Sequence, residues 1–453
     1  MSSVPRAAGE WHFTRRALGQ AALAAWVAAG DARRAESEFI TTRELEPARW
    51  RGDFPALNQT VSDCPLAYLD SAATTQRPAS VLAALADYYR KDNANPGATL
   101  HTLARRAHEH YESARRILAD FIHAADSDEV VWVRGTTEGI NLVATAWAGA
   151  RLRPGDEVLL TVAEHASNLL PWRLIAERTG ATVRYVDVDD EGRVRPDDLE
   201  RQLSKRTRVF SFSHVSNVAG FINPAAELCA RARSAGARVL IDAAQSAPHI
   251  ALDVQTLGCD FLVFSSHKML GPMGAGVLWA RRELLEEMQP YQAGSNMAHQ
   301  VDLASQVFEH AARKFGAGTP DVAGAVGLAA AVQYLRQDRD AIERHEAGLT
   351  QYALAQLRQV PGLRLLGPRS ATQRTPVFSF VLAGHSPAEV LQHLDARGVA
   401  IRAGDLAALP LLKRFGVAAA ARASCYLYTE PSELDRLAQA LHELTTYRQG
   451  EWK

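Results

Sequence analysis

The chain has 453 residues, 47% hydrophobic and 22% charged, with 50 basic against 51 acidic residues and a formal net charge of −1. That length suggests two or three domains, the ordinary composition excludes a disordered or fibrous chain, and the balanced charge points to no nucleic acid partner. No stretch approaches the roughly 20 uninterrupted apolar residues of a membrane span, so no integral membrane segment is expected. Of the basic residues 44 are Arg and six are Lys, namely Lys91, Lys205, Lys268, Lys314, Lys413 and Lys453. Arginine stays protonated, so of the two only lysine can supply a neutral amine for imine chemistry. The four cysteines, Cys64, Cys229, Cys259 and Cys425, lie far apart with no CxxC pairing, which argues against a zinc site or a disulfide framework.

Residues 1–47 read as an N-terminal extension. Thr14-Arg15-Arg16-Ala17-Leu18 precedes a weakly apolar stretch, Ala21 to Ala29, and then Gly30-Asp31-Ala32 in a signal-cleavage spacing. This pattern fits a twin-arginine signal for periplasmic export in the first 32 residues; such signals are loosely defined, and the expectation preferred is an amphipathic or unstructured extension on a cytoplasmic protein. Residues 48–66 are read as a segment joining the smaller domain, 67–332 as a large domain and 333–448 as a small C-terminal one.

From Asp128 onward, short β-branched runs alternate with Ala- and Leu-rich amphipathic segments. Strands are expected over Glu129 to Arg134, Glu157 to Val162, Thr182 to Val186, Arg208 to Ser213, Arg238 to Ile241, Phe261 to Ser265 and Gly276 to Ala280. Helices are expected between them, as over Gly139 to Ala150 and Ala225 to Ala235. Strands alternating with helices imply an α/β domain around a mainly parallel, seven-stranded sheet covered on both faces. After Val332 long helices take over, Asp338 to Val360 first, then a strand over Val377 to Val381 and helices over Pro387 to Arg397 and Pro431 to Arg448. That pattern predicts a smaller α+β domain, joined by a continuous helix or a tight turn.

In open α/β sheets ligands lie beyond the carboxyl ends of the strands, so polar residues just after each apolar run are the candidates. The first run leads to Gly135-Thr136-Thr137-Glu138-Gly139, a small hydroxyl-bearing turn suited to a phosphate at a helix start and equally to a plain Thr N-cap. The second leads to Glu164-His165-Ala166-Ser167-Asn168 and the fourth to His214-Val215-Ser216-Asn217. The fifth runs into Asp242, with Gln245 three residues on. A carboxylate ending a buried strand must be paired or hydrogen bonded; a pyridinium nitrogen would satisfy it, and so would an N-cap role. The sixth delivers Ser265-Ser266-His267-Lys268 and then the turn Met269-Leu270-Gly271-Pro272. Apolar residues on one side and glycines on the other disfavour a snorkelling surface lysine at 268.

Taken together, Tyr68-Leu-Asp-Ser-Ala-Ala73, Val133-Arg-Gly-Thr-Thr-Glu-Gly-Ile-Asn141, His214-Val-Ser-Asn217, Ser266-His-Lys268 and Ala317-Gly-Thr-Pro320, in this order, resemble class V aminotransferases of pyridoxal 5'-phosphate (PLP) fold type I. The resemblance is to the SUF-type cysteine desulfurase and selenocysteine lyase branch, and it runs from about Arg49 to about Tyr447. It implies that Lys268 carries PLP as a Schiff base and moves protons, that His165 stacks on the ring, and that Asp242 pairs with the pyridine nitrogen. It further implies Gln245 and Asn217 near the phenolic oxygen, and Thr136, Thr137, Ser265 and His267 on the phosphate, with Thr319 supplied by the partner subunit of a homodimer with shared active sites. Arg422, assisted by Arg402, would bind the carboxylate of a small amino acid substrate, a task suited to guanidinium.

Two positions depart from the family pattern. Where such desulfurases carry the cysteine that accepts sulfur, in Arg402-Ala-Gly-Asp-Leu-Ala-Ala-Leu-Pro410, this chain has Ala407, which cannot form a persulfide. Where the family usually has a His-Arg pair, the chain has Gly97 and Ala98, expected to face the same small volume as Ala407. The leading expectation is therefore a PLP-dependent lyase that cleaves a C–S, C–Se or other β-carbon bond of an L-amino acid without a protein acceptor. Epimerisation, decarboxylation with C–C bond formation and transamination are rivals using the same apparatus. A true cysteine desulfurase with a relocated cysteine is another, Cys425 being the only cysteine near a site residue, although its apolar surroundings would favour the inert thiol. Further alternatives are a weakly active PLP-binding partner protein, opposed by the seemingly intact Lys268, Asp242 and Arg422, and a nucleotide-binding domain, opposed by the lack of a GxGxxG after any strand.

Overall fold

The computed structural model describes residues 48–97 and 100–450, so the export-signal expectation on 1–47 and the departure at Ala98 lie outside the described residues. The seven expected runs form strands β1 Val130–Val133, β2 Glu157–Thr161, β3 Thr182–Val186, β4 Thr207–Ser213, β5 Arg238–Asp242, β6 Phe261–Ser265 and β7 Gly276–Ala280. They make one sheet in the order β1-β7-β6-β5-β4-β2-β3. Strand β2 pairs in parallel with β3 and β4, β4 with β5, and β5 with β6, whereas β7 runs antiparallel to β1 and β6. Six strands thus point one way, and their carboxyl ends share one edge.

Successive side chains leave opposite faces of the sheet. Phe210, Phe212, Val239, Ile241, Leu262 and Phe264 accordingly enter one core, while Val209, Leu240, Phe261, Val263 and Leu278 enter another. With both faces covered, the strands read as continuous apolar runs; every residue of β2, β6 and β7 is buried. Each fully buried Phe or Leu contributes about 1.5–3 kcal/mol of transfer free energy, which fixes the register and the place where each strand ends.

Several expected boundaries shift, three of them for a local reason or by several residues. Strand β1 starts after Glu129, which closes a 3₁₀ turn; its carboxylate accepts hydrogen bonds from Trp279 Nε1 at 3.0 Å and Ala125 N–H at 3.1 Å, a use that overrides strand continuation. The helix expected from Gly139 begins at Thr136 (α1, Thr136–Leu142) and passes into a π-helical segment, Val143–Ala148. The long helices begin at Val322, not after Val332: α2 Val322–Gln337 and α3 Arg339–Arg358 meet at Asp338, whose carboxylate takes Trp50 Nε1 and pairs with Arg49.

A second sheet is antiparallel throughout. Strands β8 Leu363–Leu366, β9 Val377–Leu382, β10 Arg402–Gly404 and β11 Ala420–Ser424 lie in the order β8-β9-β11-β10. Helices α3, α4 Pro387–Asp395 and α5 Pro431–Gly450 accompany it, α4 opening on a Ser386/Glu389 capping box. Ala67–Tyr68 pairs in parallel with Val399–Ala400, and Arg51 reaches Tyr428 O, Leu66 O and Glu433. On the Arg51 contacts we propose that 48–66 joins 333–448, with the boundary to 67–332 falling within α2 and the Ala67–Tyr68 pairing crossing it.

Candidate active site

A cavity of about 490 Å³ opens where the carboxyl ends of the large sheet meet β10, β11 and the loop after β10. Thr136, Thr137, His165, Asn217, Asp242, Gln245, Ser265, His267, Lys268, Arg402, Ala407 and Arg422 all line it. The fold thus brings together every site residue expected from this chain's own strands.

Lys268 ends a 3₁₀ turn, Ser266–Lys268, that directly follows β6. Thr75 fastens the turn: its N–H donates to His267 O at 2.9 Å, and its Oγ1 accepts the Leu270 N–H at 2.9 Å. Leu270 adopts φ 68°, and a Cβ at Gly271 would lie 2.1 Å from Ser266 Oγ, so any larger residue there would have to displace that buried hydroxyl. Desolvation lowers the Lys268 amine to about 8, against the pull of Asp242 and with help from Arg422. The structure therefore gives the sixth strand a cavity amine in place of a surface lysine.

Asp242 is buried at the end of β5 and its Oδ1 accepts the Ala244 N–H at 2.9 Å. The N-cap-like and cavity-lining roles thus coexist. Burial raises its carboxyl above the usual range, and Lys268 opposes that rise. At the start of α1 the N-cap is Gly135 rather than a threonine, at φ 153°, and its Cα would lie 2.7 Å from a Cβ added to Gly276. The two backbones touch, and the gap lets Ser265 Oγ accept the Thr136 N–H and bond Thr136 Oγ1, each at 2.8 Å. Thr137 Oγ1 bonds Ser167 Oγ at 2.8 Å.

His165 Nδ1 accepts the Ser167 N–H at 3.1 Å, which places the proton of the neutral ring on Nε2. Burial first, then the nearby Lys268, brings His165 down to about 4, and the same two causes act on His267, also to about 4. Beneath them Glu164 is fully buried. It accepts from Ser213 Oγ and Asn168 Nδ2 at 2.7 Å each and from Thr161 Oγ1, while burial pushes its carboxyl up to about 7.

The opposite wall comes from the second sheet. Arg402 and Arg422 are register partners on β10 and β11. Arg422 Nη1 donates to Asn217 O at 2.9 Å, and its Nε has no partner among the described residues. Both arginines reach Asp70, at 2.8 Å from Arg402 and 3.2 Å from Arg422. Sequence reasoning assigned Asp70 no role although it lies within the quoted Tyr68 to Ala73 stretch, because it follows none of the strands of the large sheet.

Gln245 Nε2 donates to Ala72 O at 2.7 Å and Asn217 Nδ2 to Leu406 O at 2.9 Å, so both amide groups fasten cavity walls. Ala166 N–H also holds the loop, through Ala407 O at 2.7 Å. Leu406 and Ala407 take φ 53° and 52°, a left-handed pair without glycine that costs free energy and that these contacts hold in place.

Gly97 lines a different cavity, of about 940 Å³, together with Thr319, so within one chain Gly97 and Ala407 do not face one volume. The reason is topological: Thr319 and Asn95, 3.4 Å apart, lie with the outer surface of β1. Cys425 is buried in the core of the second sheet and does not line the cavity, and burial raises its thiol well above the ordinary value, as its apolar surroundings led us to expect. Cys229 and Cys259 are also buried and Cys64 half-buried, and no cysteine lines the cavity among the described residues.

The residues present fit PLP. Among the described residues, a buried carboxylate without an ion-pair partner faces the same cavity as an amine lowered toward neutrality, hydroxyls and backbone donors cluster at Thr136 and Ser265, and an orphaned guanidinium nitrogen remains on Arg422. Among the described residues no group of three or more His, Cys, Asp or Glu could hold a metal ion, and no helix is long and apolar enough to cross a membrane.

Residues 67–437 match the family of aminotransferases class V. A probable cysteine desulfurase of Halalkalibacterium halodurans is 44% identical over 395 residues, 87% of this chain and 97% of that protein. The crystal structure of a cysteine desulfurase from Escherichia coli superposes with a TM-score of 0.81 at 37% identity, covering 89% of this chain and 99% of that one. The apo cysteine desulfurase of Thermococcus onnurineus NA1 gives 0.84 at 34%, covering 88% and 98%. With the strand-end lysine, the buried aspartate and the paired arginines in one cavity, the chain belongs to the class V aminotransferase family and is a PLP-dependent enzyme of fold type I.

Proposed function

We propose that the protein is a cysteine desulfurase that passes sulfur to a thiol brought from outside the chain. The observation that carries this reading is that Lys268 and the Arg402–Arg422 pair line one cavity to which no cysteine among the described residues contributes. Relatives named as cysteine desulfurases, 44% identical, supply the substrate class. The sequence expectation of a lyase therefore gives way to its desulfurase alternative, with the acceptor outside the chain instead of at Cys425.

Bound PLP supplies an electron sink that weakens bonds at the substrate α-carbon. Lys268, Asp242, His165 and the cluster of Thr136, Thr137, Ser265 and His267 are the residues to hold it, with Gln245 and Asn217 at its edge. The Arg422 fork holds the α-carboxylate, and Lys268, with an amine near 8, moves protons at neutral pH. In the balanced reaction L-cysteine and an external thiol give alanine and the persulfide of that thiol: the C–S bond breaks, an S–S bond forms, and the thiol proton ends on the alanine methyl. Ala407 supplies no thiolate, so the loop shapes the pocket only.

A homodimer that shares active sites, with Thr319 contributed across the interface, is part of the proposal. The exposed Leu100, Met273, Val301 and Leu303 support an apolar contact with a second copy. Four unpaired cysteines favour a reducing, cytoplasmic setting.

Product identification by NMR tests the reading. L-cysteine with dithiothreitol should yield alanine. Pyruvate with ammonium and sulfide would show elimination instead, and no change of the cofactor spectrum with any amino acid would indicate a binding protein.

A further inference from the structure

Two arginines directly opposite on neighbouring antiparallel strands repel each other unless something lies between them. In this chain that group is Asp70. Its Oδ1 meets Arg422 Nη2 at 3.2 Å and its Oδ2 meets Arg402 Nη2 at 2.8 Å, so one carboxylate spans both guanidiniums. The aspartate is held in place by backbone. Residue 70 bridges Ser424 in parallel, Ser424 N–H donates to Leu69 O at 2.7 Å, and Ala72 N–H donates to Ser424 Oγ at 2.9 Å. Both arginines line the cavity and Asp70 does not, so it stands behind them.

We propose that Asp70 is a positioning and specificity-determining residue: it clamps Arg402 and Arg422 as one unit and leaves that unit a single uncompensated positive charge, matched to an amino acid with one carboxylate. This inference rests on the reading of the arginine pair as the carboxylate site. Asn217 O and Asp70 each take one bond from Arg422 Nη1 and Nη2, and the buried Nε has no partner among the described residues, so donor capacity remains on the guanidinium for a substrate. A second carboxylate would add charge where Asp70 has already balanced one arginine, and it would also meet the exposed Asp405 on the cavity-lining loop.

Holoenzyme titrations with L-alanine and L-aspartate, followed by the cofactor absorption, test the charge count. The wild type should bind L-alanine about tenfold or more tightly than L-aspartate, and Asp70→Asn should shrink that ratio by about tenfold. Arg402→Gln should weaken L-alanine by about tenfold, and the double variant Asp70→Asn/Arg402→Gln should restore it, because the count returns to plus one; a merely structural role for Asp70 would not give that rescue. An unchanged ratio in Asp70→Asn, or a double variant no better than Arg402→Gln, overturns the proposal. Should Asp70→Asn fail to fold, Arg402→Gln decides alone, with unchanged L-alanine affinity at low salt as the contradicting result. A wild-type spectrum that responds to no amino acid overturns the proposed function and this inference with it.

Discussion

The two walls of the cavity are built by different rules. On the large-sheet side, Thr136, His165, Asp242 and Lys268 stand at or just after the ends of buried strands, so the core that fixes each strand also places its functional group. On the other side, Arg402 and Arg422 are set by strand register, and the Asp70 that couples them comes from 332 and 352 residues away in the chain. There the connecting loop holds a left-handed pair at Leu406 and Ala407. A wall built locally keeps its chemistry whatever the loop does, whereas a wall assembled from distant segments can change its chemistry at single positions such as 407.

Breaking the first wall should have the largest effect. Lys268→Ala should lower turnover by roughly 10³-fold or more and abolish borohydride trapping of the cofactor, with the melting temperature nearly unchanged. Retained trapping would show that another group holds the cofactor. On the second wall, Arg422→Lys keeps the charge and loses the fork, so KM for L-cysteine should rise by roughly 10- to 100-fold while the absorption of bound cofactor stays as in the wild type. A changed cofactor spectrum would mean that the two walls are not independent.

The pH dependence sharpens the same division. Amine labelling of Lys268 in cofactor-free protein should rise with pH through a midpoint near 8, because the neutral amine is the reactive form and desolvation has lowered its pKa. Asp242 favours the ammonium, so Asp242→Asn should move that midpoint lower still; a wild-type midpoint near 10.5 would contradict the geometry described. The smallest effect is expected at Cys425→Ser. Activity should stay within about twofold, with a stability loss of about 1–2 kcal/mol from a buried hydroxyl. Loss of turnover in the folded variant would restore Cys425 as a nucleophile.

The contrast also explains what could be read from the sequence. Strand periodicity and polar residues at strand ends disclosed the large sheet and the residues from Thr136 to Lys268, since each is a local signal. The start of β1 was missed by a residue because the use of Glu129 depends on Trp279, which is 150 residues away. Asp70 went unassigned for the same reason: nothing near it in sequence reveals two arginines from the far end of the chain. The separation of Gly97 from Ala407 into two cavities is likewise a property of the assembled fold.

The most direct test is a single turnover of purified holoenzyme with L-cysteine and an external thiol, with intact-protein mass spectrometry and alanine measured together. Alanine should form in step with persulfide on the external thiol, with no sulfur atom added to the protein. Protein-bound persulfide formed in proportion to alanine would contradict the proposed function.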